Sequence, residues 1–269
     1  MKLLDIVEVQ NLQLELMKKL HVFMEDNHIK YYLIAGSALG ASRHNGFIPW
    51  DDDIDIGLFR DEYEKFIRIS SAFDKNYDVV NYKNASNCDY SLTRIYFPDT
   101  YIENPIIEGT KLDKRLYFDI FPLDNIPDDE HELKIYEQQV LKKKAVIQRM
   151  DVKNNGNSKS ALAIKKAISL VLSPFRNAII ASFDKLSQKY RSDSTRCVCS
   201  LSSQYSFKKQ VIPKVVYGEP TLHVFERERF YVPEQLDVYL TTLYGANYSE
   251  VPPIEKRRKG HNIYRTNEV

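Results

Sequence analysis

The feature that most constrains this chain is its acidic stretch, DDDIDIGL, in which four aspartates fall within the five residues Asp51–Asp55. The alternation of aspartates with Ile54 and Ile56 predicts a half-buried β-strand. Such a strand carries Asp53 and Asp55 on one face, about 7 Å apart, because each residue rises about 3.3 Å. Two carboxylates so close stay ionised at little cost only beside a cation. The pattern therefore favours a divalent metal site.

Two other interpretations of the acidic stretch stay open, an EF-hand calcium loop and a solvated acidic turn. Asp51, Asp53 and Asp55 fall at positions 1, 3 and 5 of an EF-hand loop, and Glu62 falls at position 12. Position 6 requires glycine, whereas the chain has Ile56, a β-branched residue that resists positive φ. The preceding NGFIPW would also break the entering helix. We therefore rank both interpretations below a metal-binding strand.

A short apolar strand is predicted at Tyr32–Ile34, directly before Gly36 and Ser37. A glycine–serine turn beside a metal site lets backbone N–H groups approach a phosphate. Asp119 lies within a further predicted strand, Leu116–Phe121, where a carboxylate is costly unless it is paired or metal-bound. Asp119 is therefore the best candidate for a third carboxylate. Such hard oxygen ligands suit Mg²⁺, with Mn²⁺ as the alternative ion.

Three cationic or ionisable side chains are candidates to hold a diphosphate: Arg43, His44 and Arg94. Arginine suits this task because its planar fork binds phosphate through two parallel hydrogen bonds. An isolated arginine is as often part of a surface ion pair, and that interpretation stays open for Arg94.

Composition and charge restrict the class of protein. The formal net charge is +1, so no global field favours a nucleic-acid partner. The three cysteines include a C-x-C pair at residues 197–199, which indicates reduced cytosolic thiols rather than a disulfide framework. Asp5 and Glu8 interrupt the apolar core that an export signal needs. The apolar stretch at residues 167–175 is far shorter than the roughly 20 residues of a membrane span. We therefore expect a cytoplasmic protein.

The rest of the chain is predicted to alternate short strands and helices. Helices are expected over residues 3–28, 61–73, 128–152 and 234–245, and strands over residues 77–82, 90–97, 101–107 and 222–225. Residues 153–160 are the one plausible linker.

Residues 160–187 are predicted to form two helices separated by Pro174, with apolar side chains on one side. The other side is basic and includes Lys165, Lys166, Arg176 and Lys185. A core-packed helix pair is favoured, because surface helices commonly carry one apolar stripe. The alternative is peripheral contact with an anionic membrane, at the inner face of the plasma membrane. The KRRK stretch at 256–259 could attract an acidic acceptor or be a solvated terminus.

Three strings resemble a known family: AGSALGASRHNGFIPWDDDIDIGL at 35–58, SLTRIYFPDTYIE at 91–103 and YFDIFPLD at 117–124. A looser match, YGANYSEVPP at 244–253, is followed by His261. At these residues the chain resembles the LicD family of phosphocholine transferases, which are relatives of the nucleotidyltransferase-fold superfamily.

The resemblance implies an α+β fold with a nucleotidyltransferase-like mixed β-sheet core, flanking helices and an additional helical region. We expect one LicD-type catalytic domain over residues 1–269. Its core would span about 25–125, a helical subdomain about 128–215, and residues 216–269 would complete it. The resemblance assigns the metal to Asp53, Asp55 and Asp119, which are also the catalytic carboxylates.

The resemblance also implies a reaction. Family members move phosphocholine from CDP-choline onto sugars of teichoic acid, lipopolysaccharide or other glycans, and larger eukaryotic relatives move ribitol phosphate from CDP-ribitol. We predict that a sugar hydroxyl attacks the phosphate bearing the head group and that CMP leaves, with a free or lipid-linked glycan as acceptor. Asp119 would complete the metal shell or accept the hydroxyl proton. The predicted substrate-binding residues are Gly36, Ser37, Arg43, His44, Trp50 and Arg94.

Choline would sit against aromatic faces through cation–π attraction, and the candidates are Trp50, Tyr96, Tyr101 and Tyr117. Three alternatives to this function stay open. The donor could carry ribitol or glycerol phosphate, or the enzyme could move a nucleotide and release pyrophosphate. The third alternative is a calcium- or glycan-binding module without turnover.

Overall fold

A computed structural model describes residues 1–85, 88, 90–103, 113–150, 167–168, 171–257 and 260–267. Of the predicted elements, the strand residues 104–107, the helical residues 151–152, the whole linker at 153–160 and the helical residues 160–166 and 169–170 lie outside these ranges.

Short strands are spread over the whole described chain. They are β1 (Lys2–Leu3), β2 (Tyr32–Leu33), β3 (Asp55–Phe59), β4 (Asp78–Val80), β5 (Thr93–Tyr96), β6 (Thr100–Glu103), β7 (Tyr117–Asn125), β8 (Cys197–Cys199), β9 (Ile212–Pro213), β10 (Thr221–Phe225), β11 (Glu228–Val232) and β12 (Asn262–Arg265). The described α-helices are α1 (Ile6–Asp26), α2 (Ala35–His44), α3 (Arg60–Ile69), α4 (Glu130–Met150), α5 (Arg176–Ser187), α6 (Lys214–Tyr217) and α7 (Leu236–Tyr244).

The main sheet has seven strands in the order β2-β3-β7-β5-β4, with β8 and β9 joined to it through the end of β7. Strands β3 and β7 run parallel, and the other described pairs in this sheet are antiparallel. This mixed sheet with flanking helices confirms the predicted α+β class. Two smaller sheets accompany it, the hairpin β10–β11 and a three-stranded sheet in the order β1-β12-β6.

The register of the central strands places three predicted site residues in one row. Asp55 on β3 pairs with Asp119 on β7, and Asp119 pairs with Arg94 on β5. Because paired residues on adjacent strands project from the same face of a sheet, these three side chains lie side by side. The fold therefore brings together residues that are far apart in the sequence.

Strand β7 continues to Asn125, beyond the predicted end at Phe121. Pairing with β5 stops at Ile120, so Pro122 lies where the pairing with β5 has ended. Proline is tolerated at such an edge-like position because no ladder hydrogen bond is lost there. The proline therefore does not end the strand.

Helix α1 confirms the predicted amphipathic helix, although it is shorter than residues 3–28. Asp5 accepts a hydrogen bond from the backbone N–H of Glu8, and the Glu8 side chain accepts one from the backbone of Asp5. This capping box fixes the start of the helix. Lys2 and Leu3 instead form β1, which pairs with β12.

The other predicted helices differ only at their ends. The helix expected at 61–73 is α3 followed by a 3-10 turn at Ser70–Ala72, and the helix expected at 128–152 is α4. Helix α5 begins two residues after Pro174. Arg176, predicted on the basic outer side, is buried and donates a hydrogen bond to the carbonyl of Met150. The prediction that Arg176 lies on an exposed basic side is therefore wrong, because its guanidinium hydrogen-bonds to a backbone carbonyl at the C-terminal end of α4.

The apolar core consists of two clusters. The larger packs α1 and α7 against the main sheet, and the smaller lies beneath α4, α5 and β8. Arg60 on α3 connects the two regions, because its guanidinium binds Asp124 on β7 at 2.6 and 2.9 Å and Asp184 on α5 at 2.9 Å. The division of the chain near residue 128 stays a prediction. No helix within the described residues is long and apolar enough to cross a membrane.

Candidate active site

The acidic stretch does not form one continuous strand. Strand β3 begins at Asp55, and Asp51, Asp52 and Asp53 lie in the segment before it. One carboxylate oxygen from each of these three lies within 4.8 Å of the others. An extended strand would send the middle side chain to the opposite face. The predicted strand placement of Asp53 is therefore wrong, although the segment still holds Asp53 close to Asp55.

The surroundings of Asp55 strongly affect its carboxylate. Burial raises its pKa well above the ordinary value, and the neighbouring charges of Asp53, Asp119 and Asp51 raise it further. Its backbone N–H donates a hydrogen bond to Oγ of Ser37 at 2.8 Å. The chain thus holds Asp55 rigidly in a cluster of like charge, which a cation would stabilise.

Asp119 has a cationic partner. Its Oδ1 accepts a hydrogen bond from Nε of Arg94 at 2.8 Å. The guanidinium of Arg94 lies between the rings of Tyr90 and Tyr117, 3.7 and 3.8 Å from their centroids. These two ring contacts fix the plane of the guanidinium, so Arg94 is placed to orient Asp119. Its predicted contact with a diphosphate stays a prediction.

Gly36 and Ser37 lie in the first turn of α2 rather than in a separate turn. A Cβ at Gly36 would come within 2.8 Å of Oδ2 of Asp51, so glycine permits the close approach of the helix to the acidic segment. The unusual backbone is at Ala35, where φ is +47°. The N–H of Ala35 donates to the hydroxyl of Tyr239 at 3.0 Å. Strain of this kind is concentrated at functional sites.

Arg43, His44 and Trp50 lie beside the segment that precedes β12. Arg43 donates hydrogen bonds to the carbonyls of Tyr248 and Glu250 at 3.2 and 3.0 Å. The His44 ring packs edge-on against Trp50, with 6.3 Å between centroids. The guanidinium of Arg257 lies 4.3 Å from the centroid of the Trp50 ring. Their predicted contact with substrate stays a prediction.

Each aromatic residue predicted to contact choline lies near a cationic side chain. Arg94 lies over Tyr117, Arg115 over Tyr96 at 5.0 Å, Lys114 near Tyr101 at 6.0 Å and Arg257 over Trp50. A choline head group would therefore have to use another ring face or displace one of these cations.

Asp52 and His261 form a pair that the sequence did not single out. Oδ2 of Asp52 accepts the backbone N–H of His261 at 2.7 Å and lies 2.9 Å from Nδ1 of its ring. Burial alone would raise the pKa of Asp52, but the hydrogen bonds from His261 outweigh it, and the pKa is lowered. A Cβ at Gly260 would lie 3.2 Å from Oδ2 of Asp52, so this segment packs closely on the carboxylate.

Two further groups that sequence reasoning missed support the site. The hydroxyls of Tyr205 and Tyr244 lie 2.8 Å apart, and burial raises both pKa values, with the negative charge of Asp55 contributing in the same direction. At the turn after α2, Oε1 of Glu226 accepts the backbone N–H of Phe47 at 3.0 Å. The only sequence signal for these contacts was the looser match at 244–253, which includes Tyr244.

The donor set fits a hard divalent cation. Asp53, Asp55 and Asp119 offer carboxylate oxygens, which are the ligands that Mg²⁺ prefers. Burial raises the pKa of Asp55 most, and the neighbouring carboxylates raise it further; a bound cation would offset both effects. Asp52 is less suited to this role, because His261 already engages its Oδ2 twice. The residues therefore suit a metal centre near the N-terminal ends of β3 and β7.

Comparisons with known proteins relate most of the residues of this site to one family model. Residues 28–151 match the family described as LicD/FKTN/FKRP, nucleotidyltransferase domain. The chain is 28% identical over 269 residues to the lipopolysaccharide cholinephosphotransferase LicD of Haemophilus influenzae, with 98% of each chain covered. It is 34% identical over 116 residues to an uncharacterized protein of Rickettsia prowazekii, covering 40% of this chain and 44% of that protein. It is also 44% identical over 39 residues to the ribitol 5-phosphate transferase FKRP of Homo sapiens, covering 14% and 8%. The chain is therefore similar to the LicD family over residues 28–151 and to a LicD cholinephosphotransferase over nearly its whole length.

Proposed function

We propose that this protein transfers phosphocholine from CDP-choline to a sugar hydroxyl of a cell-surface glycan and releases CMP. The observation that carries the proposal is the grouping of Asp53, Asp55 and Asp119 near the N-terminal ends of the parallel strands β3 and β7. The full-length similarity to a lipopolysaccharide cholinephosphotransferase supports this choice of head group and acceptor. Lipopolysaccharide, teichoic acid and capsule precursors are the acceptors to be tested.

The proposed mechanism assigns a separate task to each part of the site. Asp53, Asp55 and Asp119 would hold Mg²⁺ or Mn²⁺, which when bound neutralises charge on the diphosphate during transfer. Ser37 fixes the backbone of Asp55, and Arg94 orients the carboxylate of Asp119. The acceptor oxygen forms a bond to the phosphorus that bears the head group, and the bond from that phosphorus to the CMP oxygen breaks.

A second candidate donor is CDP-ribitol. The local 44% identity to a ribitol 5-phosphate transferase favours it, and the cations already placed beside the four aromatic candidates give no preference for choline. CDP-glycerol is the third donor to compare. Release of pyrophosphate instead of CMP would indicate nucleotidyl transfer.

The test is CMP release from CDP-choline, CDP-ribitol and CDP-glycerol with Mg²⁺ and an acceptor glycan. We expect CMP from CDP-choline, and we expect Asp53→Asn or addition of a chelator to abolish it. Asp26→Asn is the matched control, because Asp26 lies exposed at the end of α1. CMP from another donor alone would replace the head group. The absence of turnover with every donor would favour a binding module.

We also propose a cytoplasmic location, on the side of the membrane where CDP-linked donors are made. Peripheral membrane contact through residues 160–187 stays a proposal. Val171 and Phe175 are exposed beside Pro174, and Lys185 is exposed on α5. Flotation with anionic liposomes tests this contact, and Phe175→Ser should reduce binding. Failure of the protein to float with any liposome would remove the proposal.

A further inference from the structure

The proton of the acceptor hydroxyl has no obvious recipient among the predicted catalytic carboxylates. Asp119 was one candidate, but its carboxylate accepts a charge-assisted hydrogen bond from Arg94. Asp55 lies among other carboxylates and is suited to binding a cation. A base with a lone pair directed away from the metal ligands would serve the reaction better.

Asp52 and His261 have the geometry of such a base and its orienting partner. Asp52 has only 10% of its side chain exposed, whereas the imidazole of His261 is 32% exposed. Nδ1 of the ring lies 2.9 Å from Oδ2 of Asp52, and the backbone N–H of His261 binds the same oxygen. A carboxylate at Nδ1 holds the proton there, which leaves the lone pair on Nε2. Within the described residues, the imidazole makes no other hydrogen bond.

The pair is also in the right place. Carboxylate oxygens of Asp51, Asp52 and Asp53 lie within 4.8 Å of one another. His261 therefore contacts a carboxylate, that of Asp52, which itself lies close to the proposed metal ligand Asp53. Gly260 and His261 pack directly on Asp52, which fixes the ring relative to the acidic segment. The imidazole is therefore both anchored and accessible to a substrate.

We infer that His261, positioned by Asp52, is the general base that activates the acceptor hydroxyl. This inference rests on the proposed function. Nε2 takes the hydroxyl proton as the oxygen forms its bond to phosphorus, and CMP departs with the electrons of the broken P–O bond. His261 then returns the proton to solvent. Asp52 does not touch the substrate and is a positioning residue.

The direct test is steady-state kinetics of His261→Ala and His261→Asn with CDP-choline, Mg²⁺ and an acceptor glycan. We expect kcat to fall about 100-fold or more, in the range that general-base catalysis contributes. Asparagine keeps a donor for Asp52 but has no basic nitrogen, so it should be as inactive as alanine. Added imidazole should restore activity to His261→Ala. His131→Ala is the matched control, because His131 is exposed on α4.

Asp52→Asn tests the positioning role. We expect a smaller fall in kcat, with the KM for CDP-choline unchanged. The double variant with His261→Ala should be no slower than His261→Ala alone, because the two residues act as a unit. Independent, additive losses would overturn the positioning role.

The outcomes separate the two proposals. Wild-type protein that releases no CMP from any donor overturns the proposed function and the base with it. Active wild type with His261→Asn retaining more than about one-third of its kcat overturns the base alone, since the contribution expected of a base is far larger. A loss that imidazole does not restore, accompanied by weaker calorimetric binding of CDP-choline, also overturns it and indicates a structural role.

Discussion

At Asp55, two parts of the fold act on one residue in different ways. Ser37 fixes its backbone, while burial and the carboxylates of Asp53, Asp119 and Asp51 make its ionised side chain unfavourable. A residue held in this way lowers the stability of the metal-free protein and gains from a bound cation. Function and stability therefore favour different side chains at this position.

We expect Asp55→Asn to stabilise the metal-free protein while abolishing transfer. Asparagine matches the size of aspartate but cannot ionise, so the free energy of unfolding should rise. Urea unfolding in the presence of a chelator measures this change. Mg²⁺ should stabilise the wild type, through its binding to the folded state, but not the variant. A variant less stable than wild type would contradict this account.

Arg94 donates a hydrogen bond to Asp119, and its guanidinium packs against the rings of Tyr90 and Tyr117. Lysine cannot reproduce this planar arrangement. We expect Arg94→Lys to lower kcat about tenfold and the free energy of unfolding by about 1 kcal/mol. CMP release and thermal unfolding measure the two effects. Arg149→Lys, in the last turn of α4, is the control. Equal kcat in both variants would show that the orientation of Asp119 does not depend on the guanidinium.

Residue-level prediction drew on local patterns and did not reach the contact between Asp52 and His261. The pattern at 51–55 indicated the acidic site, and the register of β3, β7 and β5 brings Asp119 and Arg94 to it. His261 reaches Asp52 across 209 positions of sequence, and nothing near either residue specifies that contact. Long-range pairs of this kind depend on the whole topology.

Among the elements, the β10–β11 hairpin supports the turn that leads into the acidic segment. Glu226, at the hairpin turn with φ of +58°, accepts the N–H of Phe47 and donates its own N–H to the carbonyl of Asn45. A Cβ at Gly46 would fall 2.1 Å from Oε1 of Glu226, so only glycine fits there without a shift. The hairpin thus fixes the path of the chain before Asp51.

We expect Glu226→Ala to lower the free energy of unfolding by about 1–2 kcal/mol, because the N–H of Phe47 loses its acceptor. Transfer activity should fall with it as the acidic segment loosens. Glu226→Gln is the matched control, since its amide oxygen can still accept that hydrogen bond. Urea unfolding and CMP release of the two variants provide the measurement. If glutamine were as damaging as alanine, charge rather than the hydrogen bond would be responsible.

Element types were predictable, and their ends were less so. The 3.6-residue periodicity indicated α1, but the capping box at Asp5 and Glu8 decided where it starts. The alternation at 51–58 indicated β3, yet the strand starts only at Asp55. Alternation alone does not reveal that the segment before β3 brings the carboxylates of three adjacent aspartates close together.

For the whole molecule, the buried cluster around Arg60 joins the main sheet to the helical region. Burial raises the pKa of Asp124 even beside the guanidinium, which indicates how strongly this site disfavours an uncompensated charge. Nη1 of Arg60 also lies 3.3 Å from Glu64, so one cation serves three carboxylates. The two apolar clusters are therefore linked by a charge network whose removal affects both.

We expect Arg60→Met to destabilise the protein by about 3–5 kcal/mol, because it leaves the buried carboxylates of Asp124 and Asp184 without the guanidinium that pairs with them. Lys18→Met is the control. It removes exposed pairs with Glu15 and Glu228, which solvent screens, so we expect little change in stability. Urea unfolding compares the two variants. Similar midpoints would mean that the Arg60 cluster adds nothing to the contact between the two regions.

Strand β12 lies between β1 and β6, and His261 immediately precedes it. During translation, β1, β6 and the acidic segment leave the ribosome well before this strand. A nascent chain can therefore form much of the main sheet before His261 has been synthesised and can contact Asp52. We expect ribosome-bound chains that end before residue 261 to acquire secondary structure without transferase activity, so that the enzyme becomes active only after His261 has been synthesised.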